Sequence, residues 1–264
     1  MSDSGAVSYF PLRAPVLVAS ALAVAVLLGL GTTAAVASPA PAYAAPTVGV
    51  RTDPHARATP PTRPRAAHLT ARHAARLERL RTNPEVPKRA AIVFVKNWRH
   101  QFHSRVELRV WARTGPPKAR RWVRIETTSW RAGSGMEGRG GKDECRRSLG
   151  WAPDGVYSFV QHDHRRGTLI NGQVFQLQAK TCRNGTLRQS LFIHTEETSD
   201  NRQCADRKGD DGCRFEVPKI NDYHSWGCIK MSPTDLHALT RHFHRYFRAE
   251  VRYPTSRVWV RVTG

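Results

Sequence analysis

Two stretches of the chain hold residues whose types could do covalent chemistry. His224-Ser225-Trp226-Gly227-Cys228-Ile229-Lys230-Met231-Ser232-Pro233 carries a thiol, and Phe192-Ile193-His194-Thr195 carries an imidazole beside a hydroxyl. A thiol and a base able to take its proton are the minimum for a cysteine nucleophile. Cys228 would also need donors for an oxyanion, and the backbone amides around Gly227 and Cys228 could supply them, because glycine lets the chain approach a substrate closely. His194 ends an apolar run, Leu191 and Ile193, that fixes where its ring emerges, and Thr195 or a nearby carbonyl could hold the second ring nitrogen. Attack on an amide carbonyl would give a thioester, resolved by an amine or by water. The pair is 34 positions apart (228 minus 194) in a chain with 12 His and five Cys, so a buried structural thiol is the competing account. No tight Cys-x-x-Cys or His-x-x-x-His pair has further ligands to support zinc, so no metal is expected. His237, His242 and His244 read as surface residues of a terminal helix.

The cysteines are Cys145, Cys182, Cys204, Cys213 and Cys228, an odd number that in an oxidising compartment leaves one thiol over. Cys204 and Cys213 bracket a short polar loop that a bridge could close, and Cys145 with Cys182 would make the second. That leaves Cys228 free. Four cysteines allow three pairings, and a reduced protein is a further alternative.

The elements that must position these residues are mostly strands. Val106, Leu108, Val110 and Ala112 alternate with charged neighbours, and Val123, Ile125 and Thr127 repeat the period after the Gly115-Pro116-Pro117 break. Trp151 to Tyr157 reads as a turn entering a strand, and Val174 to Ala179, Leu187 to Ile193 and Val258 to Val262 carry further short runs. The glycines from Gly133 to Gly141 lack the strand-then-helix setting of a phosphate loop and read as a mobile loop. After Cys228 the period changes: Ser232 as N-cap, Pro233 in the first turn and Asp235 precede a helix whose face holds Leu236, Leu239, Thr240, Phe243 and Phe247. Many short strands with one C-terminal-side helix make a mainly β sandwich or barrel over residues 89–264. Residues 68–88 read as a helix and a connecting segment.

Ahead of this domain, Arg13, an apolar run from Val16 to Leu30 and the small residues closing in Ala42-Tyr43-Ala44 have the order of a secretory signal, residues 1–44. Left uncleaved, the run from Ala14 to Ala37 would anchor the chain. Residues 45–67 are rich in Pro, Arg, Thr and Ala without an apolar period, which reads as a disordered linker. The 42 Lys+Arg against 21 Asp+Glu give a formal charge of +21. Such a charge suits an anionic partner, and for an exported chain wall polymers fit better than nucleic acid, for which no binding module is present.

The ordered motifs resemble the catalytic domain of the L,D-transpeptidases. They are an apolar strand ending in Ile193-His194, then Ser225-Trp226-Gly227-Cys228-Ile229-Lys230-Met231 with a Ser-Pro-capped helix after it, and upstream Ala152-Pro153-Asp154-Gly155-Val156-Tyr157. The resemblance covers roughly Ile92 to Val262. It implies a cell-envelope enzyme with Cys228 as nucleophile, His194 as base and Thr195 as its orienting neighbour. Ser225 and Gly227 would shape the nucleophile turn, and Lys230 would meet a substrate carboxylate. The implied reaction joins peptidoglycan stem peptides through a cysteine thioester into 3→3 cross-links, with no metal or organic cofactor. A monomer is expected, as for other small disulfide-bearing secreted domains.

Two departures from the family pattern stand out. Trp226 occupies the place of its usual His before Gly-Cys, with His224 two positions earlier, so the substrate-side contacts of Trp226 and His224 are rearranged. The segment between His194 and Ser225 is long and acidic, with Asp200, Asp206, Asp210 and Asp211, and reads as a lid pinned by Cys204 and Cys213. The alternatives are a carboxypeptidase or hydrolase using the same thioester with water, and an inactive basic wall-binding protein.

Overall fold

The computed structural model describes residues 64–264, Arg139 and Leu169 excepted, and side chains from Thr70 onward. The expected signal segment and the linker as far as residue 63 lie outside the described residues. Among the described residues no helix is long and apolar enough to cross a membrane.

In chain order the elements are α1 (Pro64–Thr82), β1 (Lys88–Val95), β2 (Ser104–Thr114), β3 (Arg121–Ser134), β4 (Gly155–Gly167), β5 (Asn171–Leu177), β6 (Lys180–Thr181), β7 (Leu187–Arg188), β8 (Leu191–His194), β9 (Ile229–Lys230), α2 (Pro233–His244) and β10 (Val258–Thr263). Eight strands close a barrel in the order β1-β10-β4-β5-β8-β9-β3-β2, and β6 with β7 forms a separate two-stranded sheet. Only two of the barrel pairings are parallel, β1 with β10 and β8 with β9. The mainly β architecture follows from the period-two runs, since alternating side chains bury one face of each strand. β2 shows this plainly: Val106, Leu108, Val110 and Ala112 are buried while Arg105 and Arg113 are exposed.

α2 supplies the other side of the core. The Ser232 hydroxyl accepts from the Asp235 amide at 3.2 Å and Pro233 opens the first turn, so the helix starts where its orphan amides are met. Leu236, Leu239, Thr240 and Phe243 are buried, and Phe243 packs on Phe159 of β4 and Phe175 of β5. Fully burying side chains of this size stabilises the fold by about 1.5–3 kcal/mol each.

Four expectations need correction. α1 begins at Pro64, inside the stretch expected to be linker, because Pro is well placed at the start of a helix, where its missing N–H costs nothing. The alternation of Val123, Ile125 and Thr127 breaks at a register shift opposite Val110 and Trp111, which buries both Ile125 and Glu126. Leu187 to Ile193 is two strands, interrupted at Ser190 with φ of 55°. The glycine-rich segment is fastened: Gln101 donates through Nε2 to the Gly141 carbonyl at 3.0 Å, and a Cys145–Cys182 disulfide ties its continuation to the β6–β7 hairpin.

His162 of β4 is fully buried between Phe175 and Phe243, with its Nδ1 3.1 Å from Nε2 of His244. Burial first, then the neighbouring His244 and His164, push it down to about 3. The unfolded chain therefore binds a proton at this position below pH 6.5 that the folded chain refuses. Stability is predicted to fall by about 1.4 kcal/mol per pH unit from this site as pH drops from 6.5 toward 3. Urea unfolding of wild type and His162→Leu at pH 7 and pH 5 checks it: the variant should show the shallower loss.

Candidate active site

The parallel pairing of β8 with β9 sets Ile193 beside Ile229 and His194 beside Lys230. Cys228 lies immediately before β9, two positions from Lys230, so with a side-chain period of two the thiol, the Lys230 ammonium and the His194 ring share one face. All three line a cleft of about 720 Å³, together with Ser190, Phe192, Glu196, Asp210, Asp222, His224, Ser225 and Trp226. The structure thus brings together the two residues that the sequence leaves 34 positions apart. The ladder runs one residue past the pairing, where the Met231 amide donates to the His194 carbonyl at 2.9 Å.

His194 is buried, and its Nδ1 lies 2.9 Å from the Thr195 carbonyl oxygen. A carbonyl only accepts, so this contact requires Nδ1–H and leaves Nε2 as the basic nitrogen. The Thr195 backbone, not its hydroxyl, is the orienting group; the buried Oγ1 has no hydrogen-bond partner. Burial, then the Lys230 charge, push His194 down to about 3 against the effect of the Thr195 carbonyl.

Cys228 is half-buried and is the free cysteine, because Cys145 pairs with Cys182 and Cys204 with Cys213. Its thiol donates to the Ser190 carbonyl at 3.5 Å. Burial pushes it up to about 11, while the Phe192 amide and the Lys230 and Arg188 charges pull the other way. At neutral pH the resting pair is therefore thiol and neutral imidazole, not thiolate and imidazolium. The proton has to move as substrate arrives.

The nucleophile turn is held from beneath. Ser225 donates through Oγ to the Cys228 carbonyl at 2.5 Å and accepts from the Gly135 amide at 3.2 Å, while its own amide donates to the Gly135 carbonyl at 3.0 Å. Gly227 has φ of 112°, and a Cβ there would stand 1.9 Å from the Arg188 guanidinium. The turn needs glycine for both reasons. Arg188 is itself buried; its guanidinium donates to the carbonyls of Glu144, Gly150 (2.9 Å), Trp151 (3.4 Å) and Trp226 (3.4 Å). No motif marked Arg188 in the sequence, where it reads as one more charged residue of a short strand.

The expected substrate-side residues fare differently. Lys230 is buried and its ammonium is ion-paired with the Glu196 carboxylate, so it is not a free receiver of a substrate carboxylate. Glu196 in turn is pushed up to about 7, by burial first and by Asp222 and Asp210, against the Lys230 charge. Oxygens of Glu196, Asp210 and Asp222 lie within 4.8 Å of one another, close enough to hold a cation in principle, but the Lys230 ammonium already sits on Glu196. Trp226 is 69% exposed and stands at the lip of the cleft. His224 packs edge-on to Phe102 with Nε2 3.7 Å from the Glu137 carboxylate, and burial lowers its pKa. The Cys204–Cys213 loop contributes Asp210 to the cleft wall.

The helix histidines are less superficial than the sequence suggests. His237 is hydrogen-bonded to the buried Glu197 at 2.9 Å and His242 to the buried Glu126. Neither lines the cleft.

No protein-family model matches the chain, and no curated protein matches it. Among solved structures it is similar to the crystal structure of the helical cell shape determining protein Pgp2 from Campylobacter jejuni, at 14% identity and a TM-score of 0.32 over 67% of this chain. The chain spans about half of that protein's length, 48%. A similarity this slight assigns no function.

Two outcomes follow from the geometry. Alkylation of Cys228 by iodoacetamide should stay slow through pH 6 to 8 and climb steadily above pH 8, since a thiol near 11 is only about one part in ten thousand thiolate at pH 7; a rate plateau beginning near pH 5 would show an ion pair instead. Arg188→Met should lower stability by about 3 kcal/mol or more, by stripping charged donors from buried carbonyls, as read by urea unfolding.

Proposed function

We propose that the chain is a cysteine acyltransferase of the cell envelope, an L,D-transpeptidase acting on peptidoglycan stem peptides. The observation that carries this is the shared face of β8 and β9, which lines one cleft with the His194 ring, its Nδ1 held by a carbonyl, and the free thiol of Cys228. The order of motifs around the two residues resembles that enzyme family, and the two disulfides suit an oxidising, extracytoplasmic setting.

In this mechanism a tetrapeptide stem lies in the cleft with the carbonyl after its third, diaminopimelic residue against Sγ. As the sulfur attacks, its proton passes to Nε2 of His194, and the Cys228 amide stabilises the oxyanion, the Gly227 amide being engaged by Ser225 Oγ at 3.4 Å. Collapse breaks the amide bond, and the Nε2 proton goes to the departing D-Ala amine, leaving a thioester. The side-chain amine of a neighbouring stem, as its free base, then attacks the thioester and gives a proton to Nε2; collapse of the adduct breaks the C–S bond and the departing sulfur takes that proton back from Nε2, which restores the thiol and forms the 3→3 link. The neutral resting pair suits this sequence, because an unprotonated imidazole is required at each attack. Asp210 and Asp222 line the same cleft and give the acceptor's ammonium an attractive wall.

Intact-mass spectrometry after incubation with a carbapenem, a class that acylates enzymes of this kind, tests the reading. One adduct per chain is expected, lost in Cys228→Ala and formed about a hundredfold more slowly in His194→Ala. A wild type that keeps its free thiol and gains no mass would refute the proposal. Incubation with tetrapeptide stems then separates cross-linked dimers, the expected product, from tripeptides released to water.

A further inference from the structure

The outer face of the barrel on the side of β10, β1, β2 and β3 is not used by the cleft. Strand pairing sets the side chains of Trp111 and Arg89, Trp111 and Arg124, Arg113 and Trp122, and Trp259 and Ala91 beside each other on that face. The result is a plate of alternating indoles and guanidiniums. Trp111 stacks on Trp259 with centroids 5.6 Å apart at 15°, and the Arg89 guanidinium lies 4.6 Å from the Trp122 ring, 5.5 Å from Trp111 and 5.8 Å from Trp259. Arg124 flanks Trp111 at 5.8 Å.

The plate's charge is one-sided. Arg105 and Arg109 share Glu107, its single carboxylate. Among the described residues no ion pair neutralises Arg89, Arg113, Arg124 or Arg261, and Nε of Arg89 is buried without a hydrogen-bond partner. Sheet stability alone accounts for stacking Arg89 on indoles, which is worth about 0.5–2 kcal/mol. It does not account for leaving Arg113, Arg124 and Arg261 on the same face without a carboxylate partner.

We infer that this plate, formed by Arg89, Arg113, Arg124 and Arg261 around the stacked Trp111 and Trp259, is a docking surface for an acidic polysaccharide. Guanidinium forks match carboxylate and phosphate groups on such a chain, and the half-exposed indoles add apolar contact for a chain lying across the plate. The occupant is chosen by three observations. The plate's charge calls for a polyanion. The disulfides belong to an oxidising compartment, where the polyanions at hand are acidic glycans rather than nucleic acid. The indoles lie stacked against one another and the guanidiniums instead of projecting, which does not suit insertion into a bilayer. The chain's own residues 45–63 are not the complement, since Arg51, Arg57 and Arg63 outnumber Asp53.

The test is binding of the full chain to polygalacturonate, with neutral dextran, oligothymidine and phosphatidylglycerol vesicles as comparison probes, at about 50 and 300 mM salt. The variants are the triple Arg113→Gln, Arg124→Gln, Arg261→Gln and a control of equal charge loss elsewhere, Arg202→Gln, Arg207→Gln, Arg248→Gln. All six arginines are exposed, so both triples should melt and alkylate at Cys228 as wild type does. Salt-sensitive binding to polygalacturonate but not dextran, weakened about tenfold in the plate variant and less than about twofold in the control, supports the inference. Equal weakening in both triples would reduce it to net charge. No binding at low salt, or plate-dependent preference for the oligonucleotide or the vesicles, would overturn it.

Discussion

The buried guanidinium of Arg188 is the constraint on which the geometry of the site depends. A charge taken out of water must be met by dipoles or a counter-ion, and here carbonyls of Glu144, Gly150, Trp151 and Trp226 meet it. Three of those belong to the segment after the glycine-rich turn and the fourth to the nucleophile turn, so one side chain spans the two loops that Ser225 and Gly135 also join. The Cys145–Cys182 bridge joins the same segment to the same hairpin by a covalent route. Gly227 completes the arrangement, because any side chain there would displace the guanidinium. Serine at 225 then knits the turn to Gly135, and the position of Sγ follows.

On that frame, burial sets the chemistry. Burial raises the thiol and lowers the imidazole, which favours the neutral form of each partner. Lys230 acts on the two residues in opposite senses: its charge favours thiolate at Cys228 and disfavours a proton on His194. Its pairing with Glu196 tempers that field. An ion pair with Glu196 thus stands beside the thiol where the resemblance implied a lysine free to hold an anion.

The parts of this arrangement legible in the sequence are those that depend on local pattern. The alternation in β2 and β10, the Ser232-Pro233 cap and the apolar face of α2 depend on periods of two and 3.6, which the sequence displays directly. Cys228 emerged as the odd thiol because the others had loop-like settings in which to pair. What was not legible depends on register. The bulge opposite Val110 turns Glu126 inward, a shift of one residue that period counting cannot see. Lys230 looks free until Glu196 is found against it, and Arg188 looks ordinary until its hydrogen bonds are traced. Both are long side chains whose partners are set by tertiary packing. The same holds for His242, whose buried partner Glu126 is 116 positions away.

The chain's excess of positive charge is also a matter of placement. Asp206, Asp210, Asp211 and Asp222 lie in the long segment between His194 and Cys228 beside Arg202, Arg207, Lys208, Arg214 and Lys219, while Arg89, Arg113, Arg124 and Arg261 share the outer face of β1, β2, β3 and β10. A net charge spread evenly would repel the ammonium groups that the proposed reaction must bring to the thioester. Segregation avoids the conflict, since at physiological ionic strength the field of an exposed charge fades over about 8 Å, less than the distance across a barrel of eight strands. A cleft carrying Asp210 and Asp222 and a basic plate can then coexist on one small domain, the first proposed to meet the reacting peptide and the second inferred to meet the polymer around it. The tryptophans of the plate hold Arg89 and Arg124 across the sheet by stacking, so that these two have less side-chain freedom to lose when an anion arrives.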